Sequence, residues 1–202
     1  MKYNPAIHHR RSIRLKGYDY SQHGVYFITV CAQNRECFFG EIVDDGKGTM
    51  YCSPTEFGQI AINEWFKTVE MRKNIELDAF VLMPNHIHGI LVINDHDIRR
   101  GTVHRAPTFE QFGKPTSNTI PTIIRGYKST VTKQINTLRN TPAAPVWQRN
   151  FYEHIIRSER ELTRIREYIM NNPINWDSDR NNPENLDRGI AASPEPSVHL
   201  RD

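Results

Sequence analysis

Leu77-Asp78-Ala79-Phe80-Val81-Leu82-Met83-Pro84-Asn85-His86-Ile87-His88-Gly89-Ile90-Leu91-Val92-Ile93 is the stretch on which the fold turns. Two apolar runs, 77–83 and 87–93, flank Pro84-Asn85, a pair suited to a turn. The spacing predicts neighbouring strands of an antiparallel pair. Residues two apart on a strand point to the same face. His86 and His88 therefore present two imidazoles side by side, with Ile87 buried on the opposite face. Two neutral imidazoles so placed can grip one divalent cation. A short histidine-x-histidine pattern is more often a pair of solvated or core histidines. Here Val81-Leu82-Met83 and Ile90-Leu91-Val92-Ile93 set the pair inside a sheet.

Upstream, Val25-Tyr26-Phe27-Ile28-Thr29-Val30 is β-branched and aromatic and reads as a buried strand. Ser53-Pro54-Thr55-Glu56 has the form of a capping box with proline at the first helical position. The helix it opens carries Phe57, Ile60, Ala61 and Trp65 on one face. Downstream, residues 94–117 lack periodicity, which marks a functional or disordered loop. A second helix follows Pro121, with Ile120, Ile123, Ile124, Tyr127, Val131, Ile135 and Leu138 as its buried stripe and Arg125, Lys128, Lys133 and Arg139 on its surface. Residues 146–156 form a short strand or extended segment. A third helix opens at the capping box Ser158-Glu159-Arg160-Glu161 and ends near Asn172, because Pro173 follows. This order is that of an α+β sandwich, an antiparallel β-sheet with helices packed on one face, as in ferredoxin-like folds. From Asp177 the composition turns to Asn, Asp, Pro and Ser. One domain is expected over residues 1–176, with a basic N-terminal arm, and a flexible C-terminal tail over 177–202.

The third helix brings a second chemical group. Tyr168 and Asn172 are four apart and share a helix face. Leu162, Ile165 and Ile169 form the neighbouring stripe that docks the helix on the sheet. Tyr168 lies just off that stripe, where its hydroxyl could face a metal; alone, a tyrosine there is more commonly an amphipathic residue at a core margin. Tyr127 sits on the apolar stripe of the second helix and reads as core. His96 and His104 fall in the long loop and fit no ligand spacing, and nothing pairs His154 with the two strand histidines. Trp147, Arg149, Phe151 and Tyr152 could clamp and stack single-stranded bases, or close the sheet edge as a hydrophobic patch.

Composition narrows the classes. The chain has 202 residues and a formal charge of +3. Arg10, Arg11, Arg14 and Lys16 crowd an arm without acids, which fits a phosphate backbone or a solvated tail equally well. No apolar run is long enough for a membrane span, and the N-terminus lacks the apolar core of a secretory signal. The three cysteines, Cys31, Cys37 and Cys52, have no paired spacing and read as reduced thiols of a cytoplasmic protein.

Taken together, these residues resemble the IS200/IS605-like Y1 transposases, and especially their REP-associated tyrosine transposase branch. The family's histidine-hydrophobe-histidine (HUH) motif matches His86-Ile87-His88. Its helix-borne tyrosine followed four positions later by an amide matches Tyr168 and Asn172. Trp147-Gln148-Arg149-Asn150-Phe151-Tyr152-Glu153-His154, Gly24-Val25-Tyr26-Phe27-Ile28-Thr29-Val30 and Asn171-Asn172-Pro173 also match, so the likeness spans roughly residues 8–176. HUH alone is moderately specific; the ordered set is strong. The resemblance implies an HUH-endonuclease sandwich that nicks and joins single-stranded DNA, at hairpin ends such as REP-like palindromes. It implies Tyr168 as nucleophile forming a 5′-phosphotyrosine link, and His86, His88 and Asn172 as ligands of Mg2+ or Mn2+. DNA contacts are expected from Arg10, Arg11, Arg14, Lys16, Arg125, Lys128, Trp147, Arg149 and Tyr152. A monomer and a homodimer are both compatible, with a mild tilt to the monomer. The alternatives are a non-catalytic DNA-binding regulator on the same scaffold and a replication or relaxase-like nickase.

Overall fold

The computed structural model describes residues 22–94 and 119–187. In chain order the elements are β1 (Gly24–Cys31), β2 (Gly40–Asp44), β3 (Met50–Pro54), α1 (Glu56–Glu70), β4 (Ile75–Met83), β5 (His86–Ile93), α2 (Ile120–Leu138), β6 (Tyr152–Ile156), α3 (Glu159–Met170) and α4 (Pro183–Asp187). Four strands form one antiparallel sheet in the order β4-β5-β1-β6, and among the described residues β2 and β3 form a separate two-stranded sheet. The architecture is α+β, with a ferredoxin-like strand order, as the element pattern predicts. The paired apolar runs around Pro84-Asn85 are the hairpin β4–β5, with Met83 opposite His86.

The expectation that helices cover one face is corrected. Tyr26, Ile28 and Val30 of β1 and Ile87 and Leu91 of β5 pack against Ala61 and Trp65 of α1 and Ile123, Ile124 and Val131 of α2. Phe27 and Ile90, on the other face, pack against Leu162, Ile165 and Ile169 of α3. Central strands that are apolar on both faces need cover on both, so α3 lies opposite the other two long helices.

Strand β4 keeps its apolar residues inward only through an extra residue. Leu77 pairs with Leu91 and Phe80 with Gly89, three positions against two, so a bulge falls at Asp78-Ala79. Leu77 and Phe80 thus reach the α1–α2 face, while Ala79 and Val81 turn to α3. The bulge leaves Asp78 where Arg166 of α3 binds it, Nε to Oδ1 at 2.9 Å.

Helix starts follow capping chemistry, with one revision. Ser158 caps α3, accepting from the Glu161 amide at 3.2 Å. Glu161 reaches back to the Arg157 amide at 2.8 Å and meets His154 Nε2 at 2.9 Å. The cap of α1, however, is Thr55 rather than Ser53, with its hydroxyl accepting from Gly58 at 3.2 Å. Ser53 is held in β3 opposite Glu41, and Pro54 ends that strand. Sequence periodicity missed the β2–β3 hairpin altogether. Leu138, placed on the buried stripe of α2, is 50% exposed at the helix end.

The packed chain also continues beyond residue 176, correcting the tail boundary. A turn at Trp176–Ser178 and α4 enclose the buried Asp179, Asn181, Asn182 and Asn185. Asparagine amides replace an apolar core there: Asn185 Nδ2 donates to the carbonyls of Asp177 and Asp179, each at 2.8 Å. The basic arm, the loop from residue 95 with His96 and His104, and residues 188–202 lie outside the described residues. Cys31, Cys37 and Cys52 form no disulfide among the described residues.

Candidate functional site

Strand alternation places His86 and His88 on the α3 face and Ile87 on the other, as the sequence predicts. Gly89 makes room beneath them, because a β-carbon there would meet the Trp65 ring at 2.3 Å. Register then supplies neighbours. Thr29 of β1 is the partner of His88, and Tyr152 of β6 is the next residue in the same row. Phe27 stacks on His88, ring centroids 5.4 Å apart.

Both histidines are fully buried and hydrogen-bonded through Nδ1. Asn85 Nδ2 donates to the carbonyls of Arg35 at 2.9 Å and Asn181 at 2.7 Å. That orientation turns Asn85 Oδ1 to His86 Nδ1 at 2.8 Å, so the ring nitrogen must donate and Nε2 is left bare. His88 Nδ1 lies 2.8 Å from Thr29 Oγ1, which can accept its proton and leave Nε2 bare as well. The two Nε2 atoms face each other at 3.1 Å. Burial pushes His86 down to about 4, against the opposing pull of Asp179. Burial, reinforced by His86, holds His88 well below the usual histidine range. Neutral imidazoles with Nδ1 anchored on an oxygen and Nε2 free are arranged as metal-ligating histidines are.

Helix α3 and the turn after it complete the cluster. Tyr168 is half-buried, with its hydroxyl 3.4 Å from His88 Nε2 and its ring edge-on to Phe27. Asn172, in the first turn past the helix, is buried, lies against His86, and has a carbonyl oxygen without a hydrogen-bond partner. An unpaired buried oxygen is costly unless something binds it. Asp179, which the sequence reading assigned to the tail, has Oδ2 3.8 Å from His86 Nε2. His86, His88 and Asp179 each bring one ligand atom within 4.8 Å of the others.

The structure thus joins Tyr168, His86, His88 and Asn172. It adds Thr29, Asn85 and Asp179, of which only Asn85 stood in the motif that singled out the site. Tyr127 lies on the opposite face of the sheet, its hydroxyl donating to the Ala61 carbonyl at 3.2 Å and burial raising it well above the usual tyrosine range. The expected DNA contacts divide. Arg125 and Arg149 are exposed, and Tyr152 is half-buried beside the site. Trp147 is corrected to core, 6% exposed and packed on Phe39 and Tyr127. The Lys128 ammonium is also taken up, since it donates to the carbonyls of Gln148, Arg149 and Asn150 at 2.6, 3.2 and 3.2 Å and burial lowers it to about 8. Among the described residues no helix is long and apolar enough to cross a membrane.

No family model matches the chain. An uncharacterized protein of Haemophilus influenzae is 42% identical over 182 residues, covering 89% of this chain and 96% of that protein. A second Haemophilus influenzae protein, named "Putative REP-associated tyrosine transposase", is 23% identical over 157 residues, 77% of this chain and 73% of that protein. Among solved structures, a REP-associated tyrosine transposase bound to a REP hairpin aligns over 93% of this chain and 92% of its own, at 19% identity and a TM-score of 0.47. A "putative transposase" of Deinococcus radiodurans aligns over 78% of this chain and 97% of its own, at 17% identity and a TM-score of 0.37.

Proposed function

This chain belongs to the same family as the uncharacterized Haemophilus influenzae protein, and from that premise we propose its function: a metal-dependent tyrosine transposase that nicks and joins single-stranded DNA. The observation that carries the proposal is the Tyr168 hydroxyl 3.4 Å from His88 Nε2, beside the second bare imidazole of His86. The order of motifs and the weaker likeness to a REP-associated transposase support it.

The donor set fits a divalent cation. His86, His88 and Asn172 offer two bare nitrogens and one unpaired buried oxygen, which suits Mg2+ or Mn2+. When bound, such an ion draws charge from the scissile phosphate and stabilises its transition state. Asn85 and Thr29 hold the imidazoles in the ligating orientation, and Phe27 braces the His88 ring. Tyr168, held by the docked α3, attacks phosphorus: the hydroxyl gives up its proton to solvent as the Oη–P bond forms, the P–O3′ bond breaks, and the 3′ oxygen leaves as a hydroxyl after taking a proton from water. The 5′-phosphotyrosine keeps the energy of the phosphodiester, so another 3′-hydroxyl can reverse the exchange. Hairpin-bearing single strands, REP-like palindromes among them, are the proposed substrate; half-buried Tyr152 beside the site and exposed Arg149 and Arg125 are the described residues proposed to contact it.

The test is a labelled single strand bearing a hairpin, incubated with Mn2+ and resolved on a denaturing gel. A protein–DNA adduct is expected, and little from the same sequence as full duplex. His86→Ala and His88→Ala should bind the hairpin and fail to form adduct, because binding is spread over many cations and cleavage depends on one. Full cleavage by either variant rejects the site, and hairpin binding without any adduct identifies a regulator instead.

A further inference from the structure

Two imidazoles and a neutral amide give a hard divalent cation no anionic ligand, although Mg2+ and Mn2+ favour carboxylate oxygen. Among the described residues, the carboxylate grouped with the two histidines belongs to Asp179, nine residues past the last residue of α3. It is 9% exposed, and a cation set between the three groups would neutralise it. The segment carrying it is built to hold it there. Asp179 Oδ1 accepts from the Asn181 amide, and the Asn181 carbonyl accepts from Asn85, the residue that orients His86. Arg35 donates to the Arg180 carbonyl at 3.0 Å. Asn182 donates to the Trp176 carbonyl at 3.1 Å, and Trp176 itself faces the His86 ring.

We propose that Asp179 is the carboxylate ligand of the cation held by His86 and His88, and that binding this cation fastens residues 176–187 over the site. The inference rests on the metal reading of the proposed function and adds to it a ligand from outside the tyrosine motif. The side chains of residues 176–185 are mostly polar and anchor through amides, so their attachment depends on what fixes Asp179. The ion then links the segment to β5, and ion affinity and segment order rise together.

The experiment uses the full chain, Mn2+ as probe, and two readouts independent of catalysis: calorimetric Mn2+ affinity and the rate of tryptic cleavage after Arg180. Wild-type protein is expected to bind Mn2+ and to resist cleavage when loaded. Asp179→Asn keeps the turn bond to the Asn181 amide while losing the charge. It should weaken Mn2+ binding by about tenfold or more and lose the Mn2+-dependent protection. Asn185→Ala loosens the segment by removing its bonds to the Asp177 and Asp179 carbonyls, leaves every ligand side chain in place, and should weaken binding by a smaller factor. Wild-type affinity in Asp179→Asn overturns the ligand, and wild-type affinity in Asn185→Ala overturns the coupling. His86→Ala separates the two levels. If it binds Mn2+ as wild type does, the metal site itself fails; if it loses binding while Asp179→Asn retains it, only the present inference fails.

Discussion

Asn85 Oδ1 accepts the Nδ1 proton of His86 at 2.8 Å while the amide nitrogen of the same side chain donates to the Arg35 and Asn181 carbonyls. One buried side chain thus sets the tautomer of a candidate ligand and ties β5 to the segment after α3. Asn85→Ala leaves two buried carbonyls without this donor and frees the imidazole to reorient. It is expected to cost about 1–3 kcal/mol in urea unfolding and to lower Mn2+ affinity by about 10–100-fold. Wild-type Mn2+ affinity in this variant would show that the tautomer does not matter.

Tyr168→Phe removes one half-buried hydroxyl and keeps the ring against Phe27. Stability should change little, hairpin binding should persist, and the covalent adduct should vanish. Tyr127→Phe loses the bond to the Ala61 carbonyl and should cost about 1 kcal/mol with adduct formation intact. Mass spectrometry of trapped adduct checks both; DNA on Tyr127 or Tyr152 with Tyr168 unmodified rejects the nucleophile.

Gly89→Ala would put a methyl group into the Trp65 ring, which is 1% exposed and has no room to withdraw. Overpacking of this kind costs about 1–3 kcal/mol, and the strain falls on the strand between His88 and Ile90. Denaturation midpoint and Mn2+ affinity should both drop. A midpoint equal to wild type would mean that Trp65 repacks freely.

Arg166, through its hydrogen bonds, holds the Asp78 carboxyl below the usual carboxylate range. A pKa lower in the folded than in the unfolded chain gives stability that is present above the unfolded value of ~3.9 and is lost as pH falls through the folded one. The Arg166 side chain is 41% exposed, so solvent screening limits the effect to about 1 kcal/mol or less. Asp78→Asn should therefore lower the melting temperature slightly at pH 7, and the gap to wild type should close in acid. A gap that persists once the pH has fallen below the folded value would assign the loss to packing at the bulge, since the carboxylate is then protonated in both states.

The sheet and its histidines were legible because their signals are local. Alternation put His86 and His88 on one face, Pro84-Asn85 marked the turn, and Ser158 announced α3. The stripe of Leu162, Ile165 and Ile169 set the angle of Tyr168. What was not legible depends on register or on polar packing. Thr29 becomes the partner of His88 only through strand pairing. The bulge at Asp78 shifts parity without any glycine to flag it. Asp179 sits among asparagines whose composition resembles a solvated tail, yet those asparagines are buried and the amide nitrogens of Asn182 and Asn185 donate to backbone carbonyls of the same segment. Trp147 and Lys128 carried the right chemistry for DNA, but aromatic packing and three carbonyls claim them first.

The unequal covering of the two sheet faces has a dynamic consequence. Helices α1 and α2 share a broad apolar core with the sheet, whereas α3 rests on Phe27, Ile90 and Ile156 through Leu162, Ile165 and Ile169. Opening the smaller cluster requires less apolar surface to be exposed than unfolding the larger one. Helix α3 can therefore lift as a separate cooperative unit while the strands remain paired, and its amides should exchange with solvent faster than those of β1 and β5. Tyr168, the proposed nucleophile, rides on the least anchored long helix, so exposure of the buried imidazoles would be a local excursion of one helix that leaves the sheet intact.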